Sequence, residues 1–186
     1  KLMAKAEVRR AKKDPLGVRR AFEQATALDD AYAPANLALA TLYEQAEEWD
    51  AAIDRYQRVI AKVPNQAIAL NNLAYALATK KNNLADAFPL ATRAYAVSVQ
   101  DPVIGDTLAW IYHLMGNDTA AEPIITTSAR LRGDISDVQL HAAFIFAANG
   151  KLPAAAVYLD NALRINPGLA ERADVIELRT RVRPAK

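Results

Sequence analysis

The chain has 186 residues, of which 52% are hydrophobic and 24% charged, with a net charge of +2 and no cysteine. It is long enough for one domain with a sizeable core, and with only 6 glycines and 9 prolines it is neither a linker nor a disordered chain. The missing cysteine excludes disulfides and thiolate metal sites, and no apolar run approaches the roughly 20 residues of a membrane-spanning helix. Much of the apolar content is alanine and β-branched runs are few, which predicts helices throughout. The chain starts at Lys1 rather than methionine, which reads as a fragment of a longer protein, so an absent signal peptide or lipid anchor proves nothing.

The first expected elements are a helix over residues 1–13 and a second marked by Phe22, Ala25 and Leu28, together a partial repeat over 1–32. In the first twenty residues Lys1, Lys5, Arg9, Arg10, Lys12, Lys13, Arg19 and Arg20 stand against only Glu7 and Asp14, a local balance of +6 that leaves −4 for the remainder. A basic end of this kind can meet nucleic acid or an anionic surface. No aromatic residues interleave the charges, so the expectation is a solvated helix face and no nucleic-acid partner.

From Ala33 onward the chain repeats itself. Leu39-Ala40, Leu73-Ala74, Leu108-Ala109 and Ala142-Ala143 recur at spacings of 34, 35 and 34 residues. Three residues after each pair stand Tyr43, Leu77, Tyr112 and Phe146, and further on come Ala52, Ala87, Ala121 and Ala155, then Val59, Ala94, Ser128 and Ala162. Glu47-Glu48, Asn82-Asn83, Gly116-Asn117 and Asn149-Gly150 mark a turn inside each unit. Pro64, Asp101-Pro102, Gly133-Asp134 and Pro167-Gly168 mark a longer break after it. The units are 33–66, 67–101, 102–135 and 136–169, each helix, turn, helix, turn, and residues 170–183 follow as a single terminal helix. Small residues sit where helices approach closely, and a pair unable to bury its apolar face alone stacks on the next.

This pattern resembles the tetratricopeptide repeat family. Residues 33–65 carry its leucine–small–aromatic spacing (Leu39, Ala40, Tyr43), its second-helix alanine and aromatic (Ala52, Tyr56) and its closing proline (Pro64). Gly133 and Val99 stand where that proline is usual, an extra residue lies near Lys80–Asn83, and the tryptophan common near a unit's start is absent. The resemblance implies an all-α, right-handed superhelical solenoid of about five repeats plus a capping helix over 170–183, a single repeat domain spanning 1–186. It also implies that first helices line a concave groove and second helices face outward. More loosely, the stretches Ala69–Ala78 and Asp101–Asn117 resemble bacterial tetratricopeptide proteins of exopolysaccharide export and envelope sorting (the PEP-CTERM systems). That would favour a periplasmic or envelope location over the cytoplasm.

Within the first helices, period arithmetic separates a second stripe from the packing stripe. Asp106, Trp110 and His113 are four and three residues apart and so share a face distinct from that of Leu108, Ala109 and Tyr112. The neighbouring units place Asn72, Tyr75 and Thr79, and then Asp137, His141, Phe144 and Ala148, in equivalent positions. Asn71, Asn72, Tyr75, Asp106, Trp110, His113, His141 and Phe144 are therefore the expected peptide-binding residues: large rings with polar neighbours that fix register. Tyr43, Tyr56, Tyr112 and Phe146 are assigned to packing, and Trp49, before a second helix, to a staple over its start. Chaperone-binding members of the family grip a carboxylate with lysine and arginine, which this stripe lacks.

Enzyme readings find little support. Asp106 and His113 are two helical turns apart, about 10 Å by the helical rise, and no tight histidine spacing points to a metal. Thr126, Thr127 and Ser128 have no histidine in the same repeat, and Gly116, Gly133 and Gly150 are isolated turn residues rather than a phosphate loop. The expectation is a non-catalytic scaffold without cofactor or metal, binding a protein or peptide in its groove. The alternative is a structural spacer that self-associates through its repeat ends.

Overall fold

The computed structural model describes Leu2, Ala4, Ala6 and residues 14–30 and 32–183. The expected helix over residues 1–13 and most of the basic cluster lie outside these, although Leu2, Ala4 and Ala6 are helical. The described residues contain no strand. Ten α-helices follow in order: α1 (Pro15–Leu28), α2 (Ala33–Gln45), α3 (Trp49–Lys62), α4 (Ala67–Lys80), α5 (Leu84–Val97), α6 (Pro102–Leu114), α7 (Asp118–Leu131), α8 (Ser136–Ala148), α9 (Leu152–Ile165) and α10 (Ala173–Val182). They group into two compact units, residues 1–97 and 98–186.

Local chemistry starts and stops these helices. Asp14 caps α1 by accepting from the Gly17 amide at 2.9 Å, Gln66 caps α4 by accepting from Ala69, and Asp101 caps α6 by accepting from Val103 at 2.9 Å. The short turn inside each hairpin uses one residue in the left-handed region: Glu47, Asn82, Gly116 and Gly150 have φ of 58°, 51°, 77° and 74°. The next amide then reaches back to a carbonyl near the end of the first helix: Glu48 to Tyr43, Asn117 to Tyr112 and Lys151 to Phe146 at 2.8–2.9 Å. In the second of the four hairpins Asn83 bonds Leu77, a span one residue longer. The additional residue seen in the sequence near Lys80–Asn83 is thus absorbed at the turn, and the helices on either side keep their register.

In unit 1, α2 packs on α3, α3 on α4, α4 on α5, and α1 against α2. In unit 2, α6 packs on α7, α7 on α8 and α8 on α9, with a further contact of α6 with α8. Leu39, Ala40, Leu73, Ala74, Leu108, Ala109, Ala142 and Ala143 are all buried, as are Ala52, Ala87, Ala121 and Ala155 on the facing second helices. Alanine at these crossings lets helix axes close together, and the larger Tyr56, Phe22, Ile111, Ile125 and Leu159 fill the space beside them.

Several expectations need correction. Trp49 is the first residue of α3 rather than part of the turn before it, and the Lys80 ammonium sits 4.7 Å from its ring centroid. The terminal segment is not one helix: Pro167–Glu171 forms a 3-10 turn and α10 begins at Ala173. On α10 the buried residues are Val175, Leu178 and Val182, whereas Ala173 and Ile176 are exposed. Residues 176 and 178 are two apart and cannot share a helix face, so the stripe at 175, 178 and 182 is the one that packs.

Candidate functional site

The eight residues singled out from the sequence fall into the two units. Asn71, Asn72 and Tyr75 lie on α4 in unit 1, and Asp106, Trp110, His113, His141 and Phe144 lie on α6 and α8 in unit 2.

In unit 1 the asparagines are tied into a hydrogen-bond chain. Asn71 is buried and its Nδ2 donates to Asn72 Oδ1 at 3.2 Å. Asn72 Nδ2 donates to the Tyr56 hydroxyl at 2.9 Å, which donates to Glu44 Oε2 at 2.8 Å. Burial, with the Glu44 carboxylate beside it, holds the Tyr56 phenol well above its ordinary range, so it stays protonated and keeps donating. The Oδ1 of Asn71 is buried without a partner among the described residues. Tyr75 is half-buried on α4.

In unit 2 the five remaining residues gather around Trp110. The i, i+3 spacing on α6 brings His113 against it, with ring centroids 4.8 Å apart and planes 30° off parallel. From the neighbouring first helix, α8, His141 stacks on the indole more closely, at 4.1 Å and 16°. Phe144, one turn further along α8, meets Trp110 at 5.9 Å and 58° and His113 at 6.2 Å.

Each imidazole is oriented by a carboxylate. His141 Nδ1 lies 2.9 Å and 3.1 Å from the two oxygens of Asp106, across the α6–α8 contact. His113 Nδ1 bonds Asp118 Oδ1, on the first turn of α7. An ionised carboxylate only accepts, so both rings carry hydrogen on Nδ1. Asp118 is itself fixed, because Asn149 Nδ2 donates to its backbone carbonyl at 3.0 Å and to Glu122 Oε2 at 2.8 Å. Lys151 pairs with Glu122 and, with Asn149, holds that carboxyl below the usual range.

Asp106 and His113 take different partners, and no group of three potential metal ligands gathers among the described residues. Asp118 was missed by sequence reasoning. Its signal was its place five residues after His113 across the Gly116-Asn117 turn. Thr126 and Thr127 are exposed on α7, whereas Ser128 is buried.

Comparison with known proteins places this geometry in a family context. Residues 36–67 match the family model of the tetratricopeptide repeat. A TPR repeat-containing protein of Pseudomonas aeruginosa is 38% identical over 64 residues, which are 34% of this chain and 11% of that protein's length. PilW, described as a widely conserved type IV pilus biogenesis factor, superposes with a TM-score of 0.74 at 18% identity, covering 95% of this chain and 80% of its own. YrrB, described as a TPR protein with an unusual peptide-binding site, gives 0.69 at 16% identity, covering 94% and 88%. At such identities the two structures establish the likeness of fold.

Proposed function

We propose that this chain, which belongs to the tetratricopeptide repeat proteins, is a non-catalytic interaction scaffold that holds a peptide or helical segment of another protein against the first-helix stripe, with Trp110 as its principal anchor. One observation carries the reading: Trp110 and Phe144 are only half-buried, although the packing-stripe residues around them (Leu108, Ala109, Ala142 and Ala143) are buried. A large ring stacked against His113 and His141 and still only half-buried offers contact area at low entropic cost. Asn72, bonded to Tyr56, has its amide engaged inside unit 1. The unusual peptide-binding site ascribed to YrrB supports a peptide as ligand, and the likeness to a pilus biogenesis factor supports an envelope setting. Among the described residues no helix is long and apolar enough to cross a membrane.

A photo-crosslinking residue placed at 144 should capture the partner, and the same residue at 126, exposed on the second helix α7, should not. Capture from 126 with none from 144 would contradict the assignment. A second reading, self-association through the ends of the repeat array, is favoured by Leu16 and Leu28 on α1 and Ile176 on α10, which are 69%, 82% and 53% exposed. A concentration-dependent mass in light scattering would support it.

A further inference from the structure

Around Trp110 stand two carboxylates and two imidazoles, and the carboxylates can only accept. Asp106 and Asp118 are carboxylates whose partners are the two imidazoles, and among the described residues neither is bonded to a lysine or arginine. A carboxylate has about four lone-pair sites, and the Nδ1 hydrogen of His113 uses one at Asp118. Aromatic faces attract cations; His113 and His141 already stack on Trp110, so the surface left to a cation is that of Phe144 and the uncovered part of the indole. His113, Asp118 and His141 keep 21%, 17% and 14% of their side-chain surface exposed, whereas Asp106 is buried.

We propose that this cluster is a docking site for a basic segment of a partner protein, one that inserts an arginine guanidinium beside the Trp110–Phe144 rings and donates to Asp118. The inference rests on the scaffold function above and adds the chemical class of the ligand. A guanidinium is planar, carries five donors and no acceptor, and stacks on aromatic rings, so it complements a site of acceptors and π faces. An acidic segment would instead meet two carboxylates with no lysine or arginine bonded to them. A lysine would find the charge complementary but would forgo the stacking.

The test uses the full chain with Trp49→Phe, which leaves Trp110 as its single indole. The probes are short glycine–serine peptides bearing arginines, lysines or glutamates at the same positions, followed by tryptophan fluorescence and by anisotropy of a dye on the peptide. The arginine peptide should bind and perturb the indole emission, the lysine peptide should bind more weakly, and the glutamate peptide should not bind. Trp110→Ala and Asp118→Asn should each weaken arginine-peptide binding by about tenfold, the scale of a cation–π contact or one charge-assisted hydrogen bond. Should Trp110→Ala fail to fold, Asp118→Asn in a folded protein decides. No binding of the arginine peptide, equal binding by the folded variants, or preference for glutamate overturns the proposal. A natural partner that depends on Trp110 but contacts it through an acidic segment would overturn this inference and leave the scaffold function standing. A partner indifferent to Trp110 would remove both.

Discussion

The Tyr56 hydroxyl is buried and bonded on both sides, donating to Glu44 and accepting from Asn72. Removing it strands a carboxylate oxygen and an amide hydrogen in a partly buried place. Tyr56→Phe should therefore cost about 1–2 kcal/mol in chemical denaturation, with the helical spectrum unchanged. A stability equal to the parent's would mean that water replaces the hydroxyl at no cost. Spacing alone assigned Tyr56 to packing, and it is buried, but the hydroxyl's partners depend on which helices become neighbours. The same holds at the site. Asp106 and His141 are one repeat apart in sequence, so periodicity places them on adjacent first helices, and the rotamers then decide that they bond. The pairing of His113 with Asp118 runs from a helix to the first turn of the next, and no stripe on a single helix displays it.

At the scale of elements, the hairpin turn has one conformational requirement, and the four repeats meet it unequally. Gly116 and Gly150 adopt the left-handed region freely, and an added Cβ at either would meet nothing within 4 Å, so any cost of substitution lies in the backbone. Glu47 adopts the same region at φ 58° with a side chain attached. Glu47→Gly should raise stability by roughly 0.5–1 kcal/mol, and Gly150→Ala should lower it by about 1 kcal/mol. Denaturation midpoints that move in the opposite directions would show that neighbouring interactions, not φ, control the turn. Helices and breaks were legible from Ala33 to Ile165 because small residues, large residues and turn residues recur in step. The end of the chain was less so. Pro167-Gly168 follows the end of α9, as its turn signal implies, and it also opens a 3-10 turn that sets where α10 begins and hence which face Val175, Leu178 and Val182 present. Pro89 and Pro123 lie inside α5 and α7 as a reminder that proline does not always end a helix.

For the whole molecule, repetition supplies burial through neighbour contacts within each unit rather than through one global centre, so stability is close to a sum of local interfaces. A residue outside the packing stripe contributes little to that sum, even when its ring is large. That separates the two roles open to Trp110. A fully buried core tryptophan typically costs about 3–5 kcal/mol when truncated, whereas an aromatic anchor at an interface commonly costs about 2 kcal/mol or more of binding. The most direct measurement is therefore thermal melting and partner affinity on the same preparation of Trp110→Ala. The predicted result is a helical circular-dichroism spectrum, most of the parent's melting temperature and a collapse of binding. A variant that melts far below the parent, or that binds its partner as the parent does, would contradict the role of Trp110 as the anchor of the site.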